Sequence, residues 1–226
     1  MPAAVRRSSR SLSVGVSQTQ ALAGTDRRAS AVHEAGHFYP HLLVDGWRHE
    51  MDLSRPDTAV WFPQIAYDVR PAAVGLVRLF EATGDARYAV MAGLAASWFT
   101  GGNAAGVAMY DPAHGYGFDG LLGPGGTGSG NVNRNAGAES TIEALMTILE
   151  VERHPEARRW LYARGEAPVR VVHEGKHYAY RIFSGGTGDG ARGGPHRVGY
   201  VMNQTAELLD LLEGPALKAF TQRTGP

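Results

Sequence analysis

The residues best suited to chemistry lie in one glycine-rich stretch, residues 110–149. It contains the carboxylates Asp111, Asp119 and Glu139. Hydrolysis of a glycosidic bond needs two carboxyl groups, because one protonates the leaving oxygen and the other activates water or attacks. We therefore predict Asp119 and Glu139 as the acid and the base, with Asp111 as a further candidate. Inversion is the expected outcome, which requires carboxyl groups about 6.5 to 9.5 Å apart.

Aromatic and amide side chains near these carboxylates are candidates for binding a sugar. An aromatic ring offers a flat apolar surface, and an asparagine amide both donates and accepts hydrogen bonds. The predicted substrate-binding residues are Tyr110, Tyr116, Trp61, Asn131, Asn133 and Asn135. The alternative is a plain connection, because Gly, Asn and Asp are also turn formers. Loops longer than about 12 to 15 residues are nevertheless uncommon unless they are functional or disordered.

The start of the helix after this loop decides the environment of Glu139. Ser140 and Glu143 match the S-x-x-E capping box, which would leave Glu139 just outside the helix and facing a cavity. If Asn135 is the cap instead, Glu139 lies in the first turn, where the helix dipole favours a carboxylate. In both cases Glu139 suits a base better than an acid. A purely structural, dipole-stabilising role is the alternative.

A second chemistry is suggested by the pentapeptide HEAGH, which matches the H-E-x-x-H zinc motif. On a helix, His33 and His37 share one face and bind zinc, with Glu34 as general base. Gly36 weakens such a helix and Pro40 ends it. Candidates for a third ligand follow closely: His41, His49 and Glu50. A zinc-dependent hydrolase is therefore the second functional hypothesis, whereas the first needs no cofactor.

Composition narrows the class of partner. The chain has 226 residues, with 22 basic and 22 acidic side chains, and this balance argues against nucleic acid as a partner. It has no cysteine, so disulfides, thiolate zinc sites and a cysteine nucleophile are excluded. No apolar run reaches the roughly 20 residues that span a bilayer. A soluble, cytoplasmic protein without membrane contact is predicted.

The chain divides into a tail and a body. Residues 1–28 are rich in Arg, Ser, Ala and Gln and contain a single acidic residue, which predicts a disordered tail. A targeting segment is the alternative for this tail. Residues 29–226 are predicted to form one domain, with glycine-rich loops at 111–135 and 184–195.

Hydrophobic spacing predicts two antiparallel helices within residues 71–102. The first has an apolar stripe at helical spacing: Ala73, Leu76, Val77 and Phe80. Gly84 is predicted to end that helix and Asp85 to cap the next, and so short a connection makes a helical hairpin. Trp98 in the second helix is expected in the core. A third helix is predicted from another stripe: Ile142, Leu145, Met146 and Leu149.

The last third of the sequence mixes both periodicities. Residues 169–172 and 177–183 alternate or branch as strands do, which predicts a β-hairpin. Residues 156–163 are predicted as a short helix, and residues 201–212 as a further helix.

The hairpin of residues 71–102, with its Thr83-Gly84-Asp85 turn, Tyr88 and Trp98, resembles the repeating unit of α/α-toroid proteins. These are the six-hairpin glycosidases and related epimerases and polysaccharide lyases. The resemblance, over about residues 60–155, implies a mainly α fold: antiparallel helical hairpins of an incomplete toroid with a small β-hairpin near the C-terminal third.

The same resemblance implies an oligo- or polysaccharide substrate in a cleft lined by loops. Six hairpins need more chain than this sequence offers, so a homo-oligomer, a partner chain completing the toroid, or a fragment of a longer protein is expected. A third functional hypothesis is a non-catalytic glycan-binding or scaffold domain.

Overall fold

The computed structural model describes much of the chain after residue 47. The described residues are 29, 32, 48–49, 52–58, 60–61, 63–123, 132–185, 196–205 and 208–224. The predicted tail and several predicted site residues lie outside these ranges: residues 1–28, His33, Glu34, His37, His41, Glu50 and Asn131. The zinc hypothesis and the tail therefore stay predictions.

The predicted helical hairpin is present. Helix α1 spans Ala66–Thr83 and helix α2 spans Ala86–Thr100. Gly84 ends α1 with a left-handed φ of 70°, a conformation in which glycine pays no steric cost. The Asp85 side chain caps α2 by accepting a hydrogen bond of 3.0 Å from the backbone N–H of Arg87. The end of α1 and the start of α2 therefore follow from local sequence signals, whereas α1 begins at Ala66, before the first turn predicted at Pro71, which lies inside the helix.

Three further helices are described. Helix α3 spans Ala138–Glu152, α4 spans Pro155–Arg158 and α5 spans Gly214–Thr224. The predicted helix at 156–163 is thus a single turn, α4. Helix α3 runs parallel to α1, since the ion pairs Arg70–Glu143 and Arg78–Glu150 advance along both helices in the same direction. The N-termini of α1 and α3 consequently lie at the same end of the molecule.

Helix α3 buries a different face from the one predicted. Ile142, Met146 and Leu149 of the predicted stripe are 50%, 48% and 56% exposed. The buried side chains are Ser140, Glu143, Ala144, Thr147 and Val151. Small residues on this face allow close packing, and Glu143 finds an ionic partner in α1, so tertiary contacts outweigh the apolar periodicity.

Two-residue strand segments lie within the stretch predicted as a loop and in the chain before α1. They are β1 (Arg48–His49), β2 (Val60–Trp61), β3 (Gln64–Ile65), β4 (Tyr110–Asp111), β5 (Tyr116–Gly117), β6 (Gly120–Leu121) and β7 (Val132–Asn133). A 3₁₀ turn, Pro56–Thr58, lies between β1 and β2. Strands β3, β6 and β7 form a three-stranded antiparallel sheet, and β4 pairs with β5. This pairing anchors the central stretch beside α1.

The C-terminal half forms a five-stranded antiparallel sheet. Its strands are β8 (Arg164–Gly165), β9 (Val169–His173), β10 (Lys176–Gly185), β11 (His196–Met202) and β12 (Leu208–Glu213). The order is β12-β11-β10-β8, and β9 also pairs with β10. The predicted hairpin of residues 169–172 and 177–183 is confirmed as β9 and β10.

The prediction of a mainly α fold is therefore wrong, as is the helix predicted at residues 201–212. Residues 201–202 form the end of β11, and residues 208–212 form most of β12. Val198, Tyr200 and Met202 pack with the helices, whereas Val201 packs with α5 on the other side. Alternate residues therefore face opposite sides of the sheet, as in any strand. Because both sides are covered by other parts of the chain, apolar residues occur on both, and the sequence shows no apolar-polar alternation.

The sheet lies between two sets of helices. One face joins α1, α2 and α4 in the largest core cluster, and α5 covers the other. A second cluster, beneath the short strands, contains Trp98, which is confirmed as a core residue. In the part of the chain that the structure describes, no helix combines the length and apolar character required to cross a membrane.

Candidate functional site

A cleft of about 270 Å³ lies where α1 and α3 begin. Its lining residues are Ile65, Ala66, Tyr67, Asp119, Glu139 and Ser140. The parallel arrangement of α1 and α3 puts their first turns side by side, and the segment before β6 contributes Asp119. The structure thus brings to one cleft the two carboxylates that the sequence analysis paired, which are 20 residues apart in the chain.

Asp119 is held by hydrogen bonds at three of its atoms. Its backbone N–H donates to the carbonyl of Asn135 at 2.9 Å, and its carbonyl accepts from the N–H of Ala66 at 2.9 Å. Ala66 is the first residue of α1, so this contact satisfies a donor that has no partner within the helix. The Asn133 side-chain amide donates to Oδ2 of Asp119 at 3.3 Å. The carboxylate is therefore fixed relative to both β7 and α1.

Two glycines allow the segment that carries Asp119 to approach its neighbours. A Cβ at Gly117 would lie 2.5 Å from the carbonyl oxygen of Ser140, and one at Gly120 would lie 2.4 Å from that of Gln64. Real Cβ atoms do not come so close to backbone oxygens, so a side chain at either position would push the segment outward. The glycines predicted as loop formers thus position Asp119 between α3 and β3.

Glu139 lies in the first turn of α3. The helix begins at Ala138 after the N-cap residue Gly137, so neither predicted cap, Ser140 or Asn135, is correct. Glu139 nevertheless lies in the first turn of the helix, near its positive end, which is the environment that the Asn135 alternative predicted. The Glu139 side chain is exposed, and none of the described residues hydrogen-bonds to its carboxylate.

The predicted capping box of Ser140 and Glu143 is wrong. The Ser140 hydroxyl accepts from the backbone N–H of Gly137 at 3.2 Å, one turn earlier than predicted. Both carboxylate oxygens of Glu143 instead lie 3.3 Å from Nη1 of Arg70, and Glu143 is only 8% exposed. A buried carboxylate requires a cationic partner, which explains why Glu143 is unavailable as a cap.

Asp111, the reserve carboxylate, does not line the cleft. Its Oδ2 lies 2.8 Å from Nδ1 of His114, and its Oδ1 accepts from the backbone N–H groups of Ala113 and His114. The hydrogen bond from His114 is the main reason that the pKa of Asp111 falls below its ordinary value. These contacts organise the turn between β4 and β5, which was the structural alternative for this residue.

The predicted sugar-binding residues have other contacts. The Tyr116 ring stacks on His114 and meets Phe118 edge to face, while Tyr110 packs against the second core cluster. The Asn133 side chain donates a hydrogen bond to Asp119, and the Asn135 carbonyl accepts one from the Asp119 backbone N–H. The backbone of Trp61 pairs with Arg48 in β1 and β2, and Asn131 is outside the described residues.

The sequence analysis missed Tyr67. This residue lies in the first turn of α1, lines the cleft and is 57% exposed. An aromatic residue shortly before a predicted helix was the available signal. Among the described residues that line the cleft, Tyr67 is the aromatic one.

The only cluster of metal-binding side chains among the described residues lies elsewhere, between α1 and α3. It consists of Glu81, Glu150 and His154, with ligand atoms within 4.8 Å of one another. Arg78 donates to Glu81 and lies 2.6 Å from a carboxylate oxygen of Glu81 and of Glu150. Arg78 pairs with both carboxylates, Arg153 also pairs with Glu150, and His154 lies 3.4 Å from Glu81. This cluster is therefore an ion-pair network that joins the two helices.

Comparisons with known proteins identify no relative whose site could be compared with this cleft. No model of a protein family and no curated protein matches the sequence. The resemblance to α/α-toroid proteins is left untested by these comparisons. The chemistry of the cleft therefore has to be argued from its own residues.

Proposed function

We propose that the cleft hydrolyses a glycosidic bond in an oligo- or polysaccharide, with Asp119 and Glu139 as the reacting carboxyl groups. The observation that carries this proposal is that both side chains, from separate elements, line the same cleft. Two carboxyl groups facing one bond supply the proton for the leaving oxygen and the activation of the attacking water. The proposed setting is the cytoplasm, which cell fractionation tests.

The two carboxyl groups have different surroundings, and this difference assigns their roles. Glu139 lies at the positive end of α3, where negative charge is favoured, and its exposure lets water reach it. It is therefore the proposed base. Asp119 is the proposed acid. We assign Oδ1 as the donor to the leaving oxygen, because Oδ2 already accepts a hydrogen bond from the Asn133 amide.

Tyr67 supports a sugar chain as the ligand. The exposed Tyr67 ring offers an apolar surface at the rim. The cleft volume of about 270 Å³ lies just below the range of about 300 to 1,000 Å³ that is usual for small-molecule sites. A cleft of this size holds a short part of the chain, while the remainder extends into solvent.

The test is a screen of oligo- and polysaccharides for release of reducing ends by the wild type. Asp119→Asn and Glu139→Gln are each expected to lower kcat by about 10²- to 10⁴-fold. Glu152→Gln is the matched control, because Glu152 is an exposed carboxylate on α3 outside the cleft. NMR of the first product shows whether the anomeric configuration is inverted.

Full activity in both cleft variants would overturn the proposal. Binding of a glycan without any turnover would also overturn it, and would support the non-catalytic glycan-binding domain instead. Calorimetric titration of the same glycans into the wild type and into Tyr67→Ala separates these outcomes, since it reports binding independently of turnover.

A further inference from the structure

Helix α3 carries an apolar stripe that no described residue covers. Ile142, Met146 and Leu149 are 50%, 48% and 56% exposed, and their spacing places them on one face of the helix. The opposite face packs against α1 and the core. Scattered exposed apolar residues are ordinary, but three in line on one helix are typical of a binding surface.

The charges beside this stripe are arranged symmetrically about its centre. Glu139 lies seven residues before Met146, and Arg153 lies seven residues after it. Seven residues are close to two helical turns, so all three side chains lie along the same side of the helix. Arg153 belongs to this series because its backbone keeps helical angles, with φ −68° and ψ −18°.

We propose that the Ile142-Met146-Leu149 stripe binds a second copy of this chain in an antiparallel, two-fold symmetric dimer. A two-fold axis at Met146 sets Glu139 of each copy opposite Arg153 of the other, which forms two identical ion pairs. Near the same axis, Ile142 of one helix meets Leu149 of the other, and the Met146 side chains meet at the centre.

Charge selects this orientation. In a parallel pair, Glu139 would face Glu139 and Arg153 would face Arg153, and like charges across an interface are unfavourable. An isologous contact also closes after two copies, because each copy uses the same surface. The surface is therefore complementary to itself in one orientation only.

The ion pair that Arg153 already makes does not oppose this arrangement. Its Nη1 lies 3.1 Å from Oε2 of Glu150, but the Arg153 side chain is 73% exposed. An exposed pair of this kind contributes little to stability, so exchanging Glu150 for Glu139 of the second copy costs little. Standard interfaces bury at least about 1,200 Å² of accessible surface, and a single pair of helices buries less. The dimer is therefore expected to be weak and to depend on protein concentration.

The test is sedimentation equilibrium of the full chain as a function of concentration. We expect the wild type to dimerise, and Met146→Glu, which puts two carboxylates at the axis, to raise the dissociation constant at least about tenfold. Leu209→Glu is the control, because Leu209 is 52% exposed on β12 and should not alter dimerisation. Circular dichroism checks that each variant is folded.

A charge exchange tests the orientation. Glu139→Arg and Arg153→Glu are each expected to weaken the dimer, and the double variant should restore it. A wild type that stays monomeric at every concentration, a Met146→Glu protein that dimerises normally, or a double variant as weak as the single ones would overturn the proposal. These readouts measure association and not catalysis, so they can be interpreted whether or not the cleft hydrolyses a glycan. Glu139→Arg is scored for dimerisation alone, because Glu139 is also the proposed base.

Discussion

The indole Nε1 of Trp98 donates a hydrogen bond of 2.7 Å to Oε1 of Gln64. Both side chains are buried, with exposed fractions of 2% and 3%. Gln64 immediately precedes Ile65 and Ala66, which line the cleft. This one bond therefore connects the second core cluster to the chain that forms the cleft.

Loss of this bond should destabilise the protein. Gln64→Leu leaves the buried indole N–H without its acceptor, which is expected to cost about 1 to 3 kcal/mol in the free energy of unfolding. Urea unfolding followed by circular dichroism measures the change. In a Trp98→Phe background the same substitution should cost about 1 kcal/mol less, because no donor is then left unsatisfied. Strictly additive costs would show that the two residues do not interact.

At Gly93, α2 lies close against the α4 region. A Cβ at this position would lie 2.1 Å from the carbonyl oxygen of Ala157 and 2.6 Å from Cβ of Trp160. Gly93→Ala should therefore force backbone movement and lower the free energy of unfolding by about 3 kcal/mol, even though alanine favours a helix.

The control for Gly93→Ala is Gly137→Ser, at the N-cap of α3. A Cβ at Gly137 would have only the Ser140 hydroxyl nearby, at 4.0 Å, and serine is a preferred cap. Its melting temperature should stay the same or rise slightly. A Gly93→Ala protein as stable as the wild type would contradict the packing described between α2 and Trp160.

Tyr200 should make stability depend on alkaline pH. The residue is fully buried, its hydroxyl has no hydrogen-bond partner among the described residues, and burial raises its pKa well above the ordinary value. The unfolded chain ionises this tyrosine near pH 10, whereas the folded protein keeps it neutral. The free energy of unfolding is therefore unaffected by Tyr200 below about pH 10. Above that pH it falls by up to about 1.4 kcal/mol per pH unit.

Tyr200→Phe should remove that part of the alkaline loss. At neutral pH the variant should be as stable as the wild type or slightly more stable, because an unsatisfied buried hydroxyl is removed. Urea unfolding measures the free energy of unfolding at pH 7 and at about pH 11, which lie below and above the ordinary tyrosine pKa. Tyr162→Phe, at a residue 59% exposed, is the control. Equal alkaline losses in Tyr200→Phe and wild type would contradict the prediction.

Local signals in the sequence were sufficient for elements whose boundaries depend on neighbouring residues. Gly84 and Asp85 mark the turn between α1 and α2 because the left-handed φ and the side-chain cap are properties of a few adjacent residues. The hairpin of β9 and β10 was predicted for the same reason, since its strands are separated by a two-residue turn. The candidate carboxylates followed from residue type alone.

Periodicity failed where tertiary contacts, and not the most apolar stripe, decide which face of an element is buried. The stripe of Ile142, Met146 and Leu149 predicted α3 correctly as a helix, but the partner helix α1 selected the face with Ala144 and Glu143. The residues from Val201 onward were wrongly predicted as a helix. In the structure, the two faces of β11 and β12 are covered by different parts of the chain, so apolar residues occur on both faces.

The sequence by itself determined which residue types this protein has for chemistry and which segments form its helical hairpin and its first β-hairpin. Only the tertiary structure decided that Asp119 and Glu139 share a cleft while Asp111 belongs to a turn. It also decided that the C-terminal half is a sheet and that an apolar stripe of α3 faces outward. The physical reason is that strand pairing, helix orientation and ion pairs such as Arg70–Glu143 join residues distant in the chain. Their energies therefore depend on the whole fold rather than on local sequence.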